Sequence, residues 1–166
     1  MTLPNALSLS RVALGIAVFL VVLTGERVNA LLLFVVGVVT DVADGALARR
    51  TTSATSFGAF LDPLGDKVLV YGALAPLAGD VRIGTAFGVL LVRDAVVTWL
   101  RRRRSVHPSR LARLKTATLY AACAWLLVSS GGGDLPREPA DLLLAAGTAL
   151  AILTALQYGV WLRVRA

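Results

Sequence analysis

Six apolar runs of about 20 residues each, broken only by short polar or charged punctuation, constrain this chain more than any other feature. A run of that length, wound as a helix, matches the hydrocarbon thickness of a bilayer. There each backbone N–H and C=O has to find its partner inside its own helix. The first run ends near Leu23. The others cover about Val28 to Arg50, Phe57 to Gly79, Ile83 to Leu100, Leu111 to Ser130 and Ala140 to Leu162. They predict an all-α polytopic membrane protein: a bundle of six transmembrane helices forming a single domain over 1–166. With 57% hydrophobic residues and a mean hydropathy of +0.75, a soluble globule is excluded.

The formal charge of +7 is distributed by membrane topology. Arg49, Arg50, Arg101 to Arg104, Arg110, Arg113, Lys115, Arg163 and Arg165 stand at one set of run ends, and only Arg27, Arg82 and Arg137 at the other. The positive-inside rule places both termini on the cytoplasmic side of the cell membrane, and no nucleic-acid partner is needed to account for the charge. Arg101 to Arg104 read as a lipid-surface anchor, and His107 is given no role. The lone Cys123 lies in an apolar run and permits no internal disulfide. The first run lacks a basic segment ahead of it and reads as a retained span rather than a cleaved signal. Pro4 suits a helix start that Asn5 or Ser8 would cap. Gly79-Asp80-Val81-Arg82 reads as a tight turn, and Arg93-Asp94 as an internal ion pair.

Against this apolar background stand four acids. Asp41 and Asp44 close the second run at i,i+3, and Asp62 and Asp66 open the third at i,i+4, so each pair lines one helical face. The polar stretch between them, beginning at Arg49-Arg50, folds the two runs into an antiparallel hairpin with both pairs near the same membrane face. Carboxylates at that depth require cations. Hard oxygen ligands favour Mg²⁺ or Mn²⁺, and four carboxylates carry enough charge for two ions. Two ions can clamp a phosphoryl group. Gly37, Gly45, Ala48 and Gly58 leave room beside the acids, and Arg49 suits a phosphate or pyrophosphate. A cation transporter is the reading from another class, although its site would be expected at the midplane.

The spacing Asp41-x2-Asp44-Gly45-x2-Ala48-Arg49-x8-Gly58-x3-Asp62-x3-Asp66 resembles the complete signature of the CDP-alcohol phosphatidyltransferase family. That resemblance implies a six-helix homodimer with a cavity open to the cytoplasm, in which an alcohol attacks the β-phosphorus of a CDP-linked lipid such as CDP-diacylglycerol and releases CMP. It further implies Asp41, Asp44, Asp62 and Asp66 as metal ligands, with Asp66 as general base. Asp44, Gly45, Ala48, Arg49 and Gly58 would contact CDP, as Asn5 would too if it does not cap. Leu61-Asp62-Pro63, Asp66-Lys67, Arg93-Asp94 and Leu114-Lys115-Thr116-Ala117 are similar to the phosphatidylglycerophosphate synthase branch, whose small phosphorylated acceptor is glycerol 3-phosphate. Arg110, Lys115 and Arg113 would hold its phosphate. Ala112-Arg113 and Leu119 depart from that branch's usual Gly-Lys and Gln, so phosphatidylinositol phosphate synthase and cardiolipin synthase stay open as alternatives.

Overall fold

The apolar runs fold as helices whose ends fall close to the charges and glycines that bound them. The computed structural model describes residues 3–48, 65, 67–101, 110–131 and 135–164. Helix α1 spans Leu3–Leu23 and α2 spans Arg27–Ala48. Between them Gly25 has a φ of 85°, the left-handed region in which a side chain is strained. The turn is fastened by Arg27, whose Nη1 donates to the Val22 carbonyl at 2.7 Å. Helix α3 is helical over 67–74 and tightens into a 3₁₀ turn at Ala75–Leu77, where Pro76 lacks the N–H that would continue the α-helix. Helices α4 (Val81–Arg101), α5 (Arg110–Ser129) and α6 (Glu138–Val164) follow. The described residues contain six helices and no strand.

Two expectations need correction. Helix α1 already begins at Leu3, so Asn5 and Ser8 lie inside it rather than capping it. The third run leaves α-helical geometry after residue 74 instead of continuing to Gly79, because of Pro76.

Helix α1 packs against α2, α2 against α5, and α6 against both α4 and α5. Phe34, Leu69, Leu74, Ile83, Leu126, Leu127 and Leu144 are the large side chains fully buried between them, and Cys123 is buried as a small packing residue. Helix α3 closes on α1 and α2 at glycines. A Cβ on Gly72 would collide with the Gly15 carbonyl oxygen, one on Gly15 would lie 2.7 Å from the Val68 carbonyl, and one on Gly37 would lie 2.7 Å from Leu69 Cδ1. Gly15 lies beside Val68 and Gly72, α1 also touches the 3₁₀ turn that follows them, and α2 runs against α1, with Arg27 at Val22 and Arg11 at Asp41.

The outward faces are apolar. Ile16 and Leu20, Leu32 and Val39, Val92 and Trp99, and Leu142 and Leu156 are each more than half exposed. So broad an apolar exterior suits lipid rather than water. Leu111–Ser129 and Glu138–Gly159 are long and apolar enough to cross a membrane.

At the end of the bundle away from the acids, Asp80 caps α4. Its Oδ1 accepts from the backbone N–H groups of Arg82 (2.9 Å) and Ile83 (3.3 Å). Arg137 lies 3.0 Å from its other oxygen, and Arg82 binds Asp141 at 2.6 Å. The Ile83 amide leads the causes that hold the Asp80 carboxyl below its ordinary range, with the Arg82 amide and Arg137 acting in the same direction.

Candidate active site

On α2 the buried positions recur at Ala30, Phe34 and Gly37, and the next place on that stripe is Asp41, half-buried. The same register continues through backbone positions 44, 45 and 48, all within the helix. Asp41 is held from two other helices. Arg11 of α1 donates from Nη1 to its Oδ1 at 2.7 Å, and the Tyr120 hydroxyl of α5 donates to its Oδ2 at 3.2 Å. The Tyr120 ring in turn packs edge-on against Phe34, two turns back on α2, with centroids 5.9 Å apart.

The glycine crossing brings the start of α3 to this level. Leu69 lies against Gly37, one helical turn before Asp41 on α2. Arg11, four residues before Gly15, stands at the same level on α1. The polar turn of the expected hairpin and its second acidic pair, Asp62 and Asp66, lie outside the described residues.

A second polar cluster lies between α3, α4 and α6. Arg93 donates from all three guanidinium nitrogens: Nε to the Ala151 carbonyl at 2.9 Å, Nη2 to Thr154 Oγ1 at 2.6 Å and Nη1 to Asp94 Oδ1 at 2.6 Å. The adjacent charges thus do form the internal pair expected of them. On Asp94 Oδ2, the Tyr71 hydroxyl donates at 2.8 Å and Lys67 Nζ lies 3.7 Å away, also donating to Thr98 Oγ1 at 3.1 Å. Lys115 of α5 lies within electrostatic range of the same carboxylate. Lys67, Tyr71, Leu91, Asp94, Ala95, Thr98 and Trp99 line a cleft of about 410 Å³ along this flank.

The remaining sequence candidates are distributed unevenly. Asp44, Gly45 and Ala48 have backbone positions on α2, Asn5 on α1 and Arg110 at the start of α5, while their side chains lie outside the described residues. Arg49, Gly58, Asp62 and Asp66 lie outside them altogether. Of the expected phosphate-binding cations, Lys115 is half-buried, whereas Arg113 is exposed. Leu119 packs on α6, where a Cβ on Gly147 would meet its Cδ2 at 2.7 Å.

Among the described residues no three potential ligands converge on one point. The chemistry of the donor set nevertheless fits a divalent cation. The Asp41 carboxylate offers hard oxygen donors, each of which accepts one hydrogen bond and keeps a second acceptor lobe, and Asp44 follows one helical turn later.

Sequence reasoning missed Arg11 and Tyr120 as partners of Asp41, and Tyr71 and Thr154 as partners of the Arg93-Asp94 pair. Arg11 did carry a signal, since a lone cation inside an apolar run needs an anion nearby. A tyrosine or threonine in such a run carries none.

A sequence profile of the CDP-alcohol phosphatidyltransferases matches residues 1–161. The proteins named CDP-diacylglycerol–glycerol-3-phosphate 3-phosphatidyltransferase in Escherichia coli (strain K12) and Shigella sonnei (strain Ss046) are both similar to this chain. Each is 36% identical to it, over 75% of this chain and 76% of the relative. Together with the filled acidic signature, this match makes the chain a phosphatidyltransferase that belongs to the CDP-alcohol phosphatidyltransferase family.

Proposed function

We propose that this chain transfers the phosphatidyl group of CDP-diacylglycerol to sn-glycerol 3-phosphate, giving phosphatidylglycerophosphate and CMP. The observation that carries the choice of acceptor is the 36% identity to relatives named for that reaction, sustained over three quarters of both chains.

The α2–α3 hairpin supplies the chemistry. Asp41, Asp44, Asp62 and Asp66 are the residues that would hold Mg²⁺ or Mn²⁺, two ions in all, whose contribution is to neutralise pyrophosphate charge as the bond to CMP breaks. The packing of Leu69 on Gly37 supports this reading, because Asp41 follows Gly37 and Asp66 precedes Leu69 by about one helical turn in the chain. Asp66 takes the proton from the acceptor hydroxyl, whose oxygen attacks the β-phosphorus, and CMP leaves with the bonding pair. Gly45, Ala48 and Gly58 let the nucleotide approach the backbone, and Arg49 pairs with its phosphates, with Asn5 as a further contact. Lys115, together with Arg110 and Arg113, holds the acceptor's phosphate.

The setting follows from the same physics. All six helices cross the bilayer as one domain, with both termini and the acids on the cytoplasmic side, as the apolar exterior and the clustering of basic residues support. The acyl chains then remain in lipid while the head-group reaction meets water, and the protein works as a homodimer. The test is purified protein incubated with CDP-diacylglycerol, Mg²⁺ and, in separate reactions, glycerol 3-phosphate, inositol 1-phosphate or phosphatidylglycerol, scored for CMP. Release with glycerol 3-phosphate that EDTA abolishes is expected. Release with another acceptor instead would overturn the acceptor assignment.

A further inference from the structure

The way Asp41 is held differs from an ordinary buried ion pair. An arginine that only neutralises a carboxylate does so best as a fork, with two parallel N–H groups on the two oxygens. Here Arg11 donates to Oδ1, and Oδ2 is given to a neutral hydroxyl from a third helix. Two donors of separate origin fix the plane of the carboxylate as well as its position. Each uses one acceptor lobe and leaves the other facing away. The Arg11 side chain is 5% exposed and that of Asp41 22%, so the pair is closed on the arginine side and open on the acid side. The Tyr120 hydroxyl is itself steadied by the edge contact of its ring with Phe34, on the same helix as Asp41.

We propose that Arg11 and Tyr120 are positioning residues that hold the Asp41 carboxylate in a fixed plane, with its outer lobes presented to a divalent cation. The inference rests on the proposed metal site and assigns the residues behind it. Groups that orient a ligating carboxylate ordinarily change metal affinity by about 10- to 100-fold when removed.

The test is direct titration of the detergent-solubilised protein with Mn²⁺ alone, following the loss of the aqueous Mn²⁺ electron paramagnetic resonance signal. Tyr120→Phe keeps the ring on Phe34 and removes only the hydroxyl, so its Mn²⁺ dissociation constant is expected to rise about tenfold. Arg11→Lys keeps the charge but loses the planar geometry, and a smaller rise of the same sign is expected. In turnover, the Mn²⁺ concentration for half-activation rises in parallel while the KM for CDP-diacylglycerol stays the same, a split that loosened packing alone would not produce. Saturable Mn²⁺ uptake by the wild-type chain with unchanged affinity in both variants would overturn this inference and leave the metal site standing. Absence of saturable uptake by the wild-type chain, or uptake unaffected by Asp41→Asn, would overturn the metal reading and this inference together.

Discussion

The phenol of Tyr71 on α3 donates to the carboxylate of Asp94 on α4 at 2.8 Å, closing a polar chain that runs from Thr154 on α6 through Arg93 and Asp94 to α3. Asp94 is 8% exposed, so losing a donor there is felt. Tyr71→Phe removes one charge-assisted hydrogen bond and leaves Arg93 and Lys67 in place, and it should lower stability by about 1.5–3 kcal/mol. Asp94→Leu strips Arg93 of its anion and should cost about 3–5 kcal/mol. Reversible unfolding in mixed micelles measures both, and an Asp94→Leu protein as stable as wild type would contradict the network's role.

At the crossing of α1 and α3 there is no room for a methyl group. Gly72→Ala would drive its Cβ into the Gly15 carbonyl, which is backbone and cannot rotate away. It should destabilise the fold by about 1–3 kcal/mol or more and separate the two helices. Gly88 on α4 has nothing within 4 Å of the corresponding position. There the same substitution should be neutral or stabilising by up to about 1 kcal/mol, through helix propensity. The contrast between the two variants in one unfolding assay is the measurement.

Acid should weaken the far end of the bundle through Asp80. Its folded-state pKa lies below the ordinary value, chiefly because of the Ile83 amide. The stability it contributes is therefore complete above the ordinary carboxylate range and is lost as the pH falls through the lowered value. Asp80→Asn keeps a capping oxygen and removes the charge. The variant should melt below the wild type at pH 7, and the two curves should converge as the pH falls below about 4.

Lys115, half-buried on α5, is one of the cations proposed to hold the acceptor's phosphate. Lys115→Ala should raise the KM for glycerol 3-phosphate about tenfold, the size of one charge-assisted contact, and leave the KM for CDP-diacylglycerol within twofold. Equal effects on both substrates would remove Lys115 from the acceptor site.

Much of this architecture was legible from residue order. Apolar length located the helices, and the glycine and charge at Gly79–Arg82 located a turn within a few residues. Adjacent opposite charges at Arg93 and Asp94 announced their own pairing. Contacts between distant positions were not legible. Arg11 meets Asp41 across 30 residues, and Tyr120 meets it across 79. Which tyrosine faces a carboxylate depends on helix rotation, and a uniformly apolar run does not encode it. Helix α1 also shows how a cap can be misplaced by polar residues. Asn5 and Ser8 are good capping types, yet Pro4 fits the first turn equally well, and the helix begins before all three.

Asp41 is at once a member of the acidic signature and the knot joining α1, α2 and α5. Under the proposed chemistry, reactivity and assembly share one side chain. Drift at this position to an apolar residue would then loosen the joint between three helices as well as the site built on it.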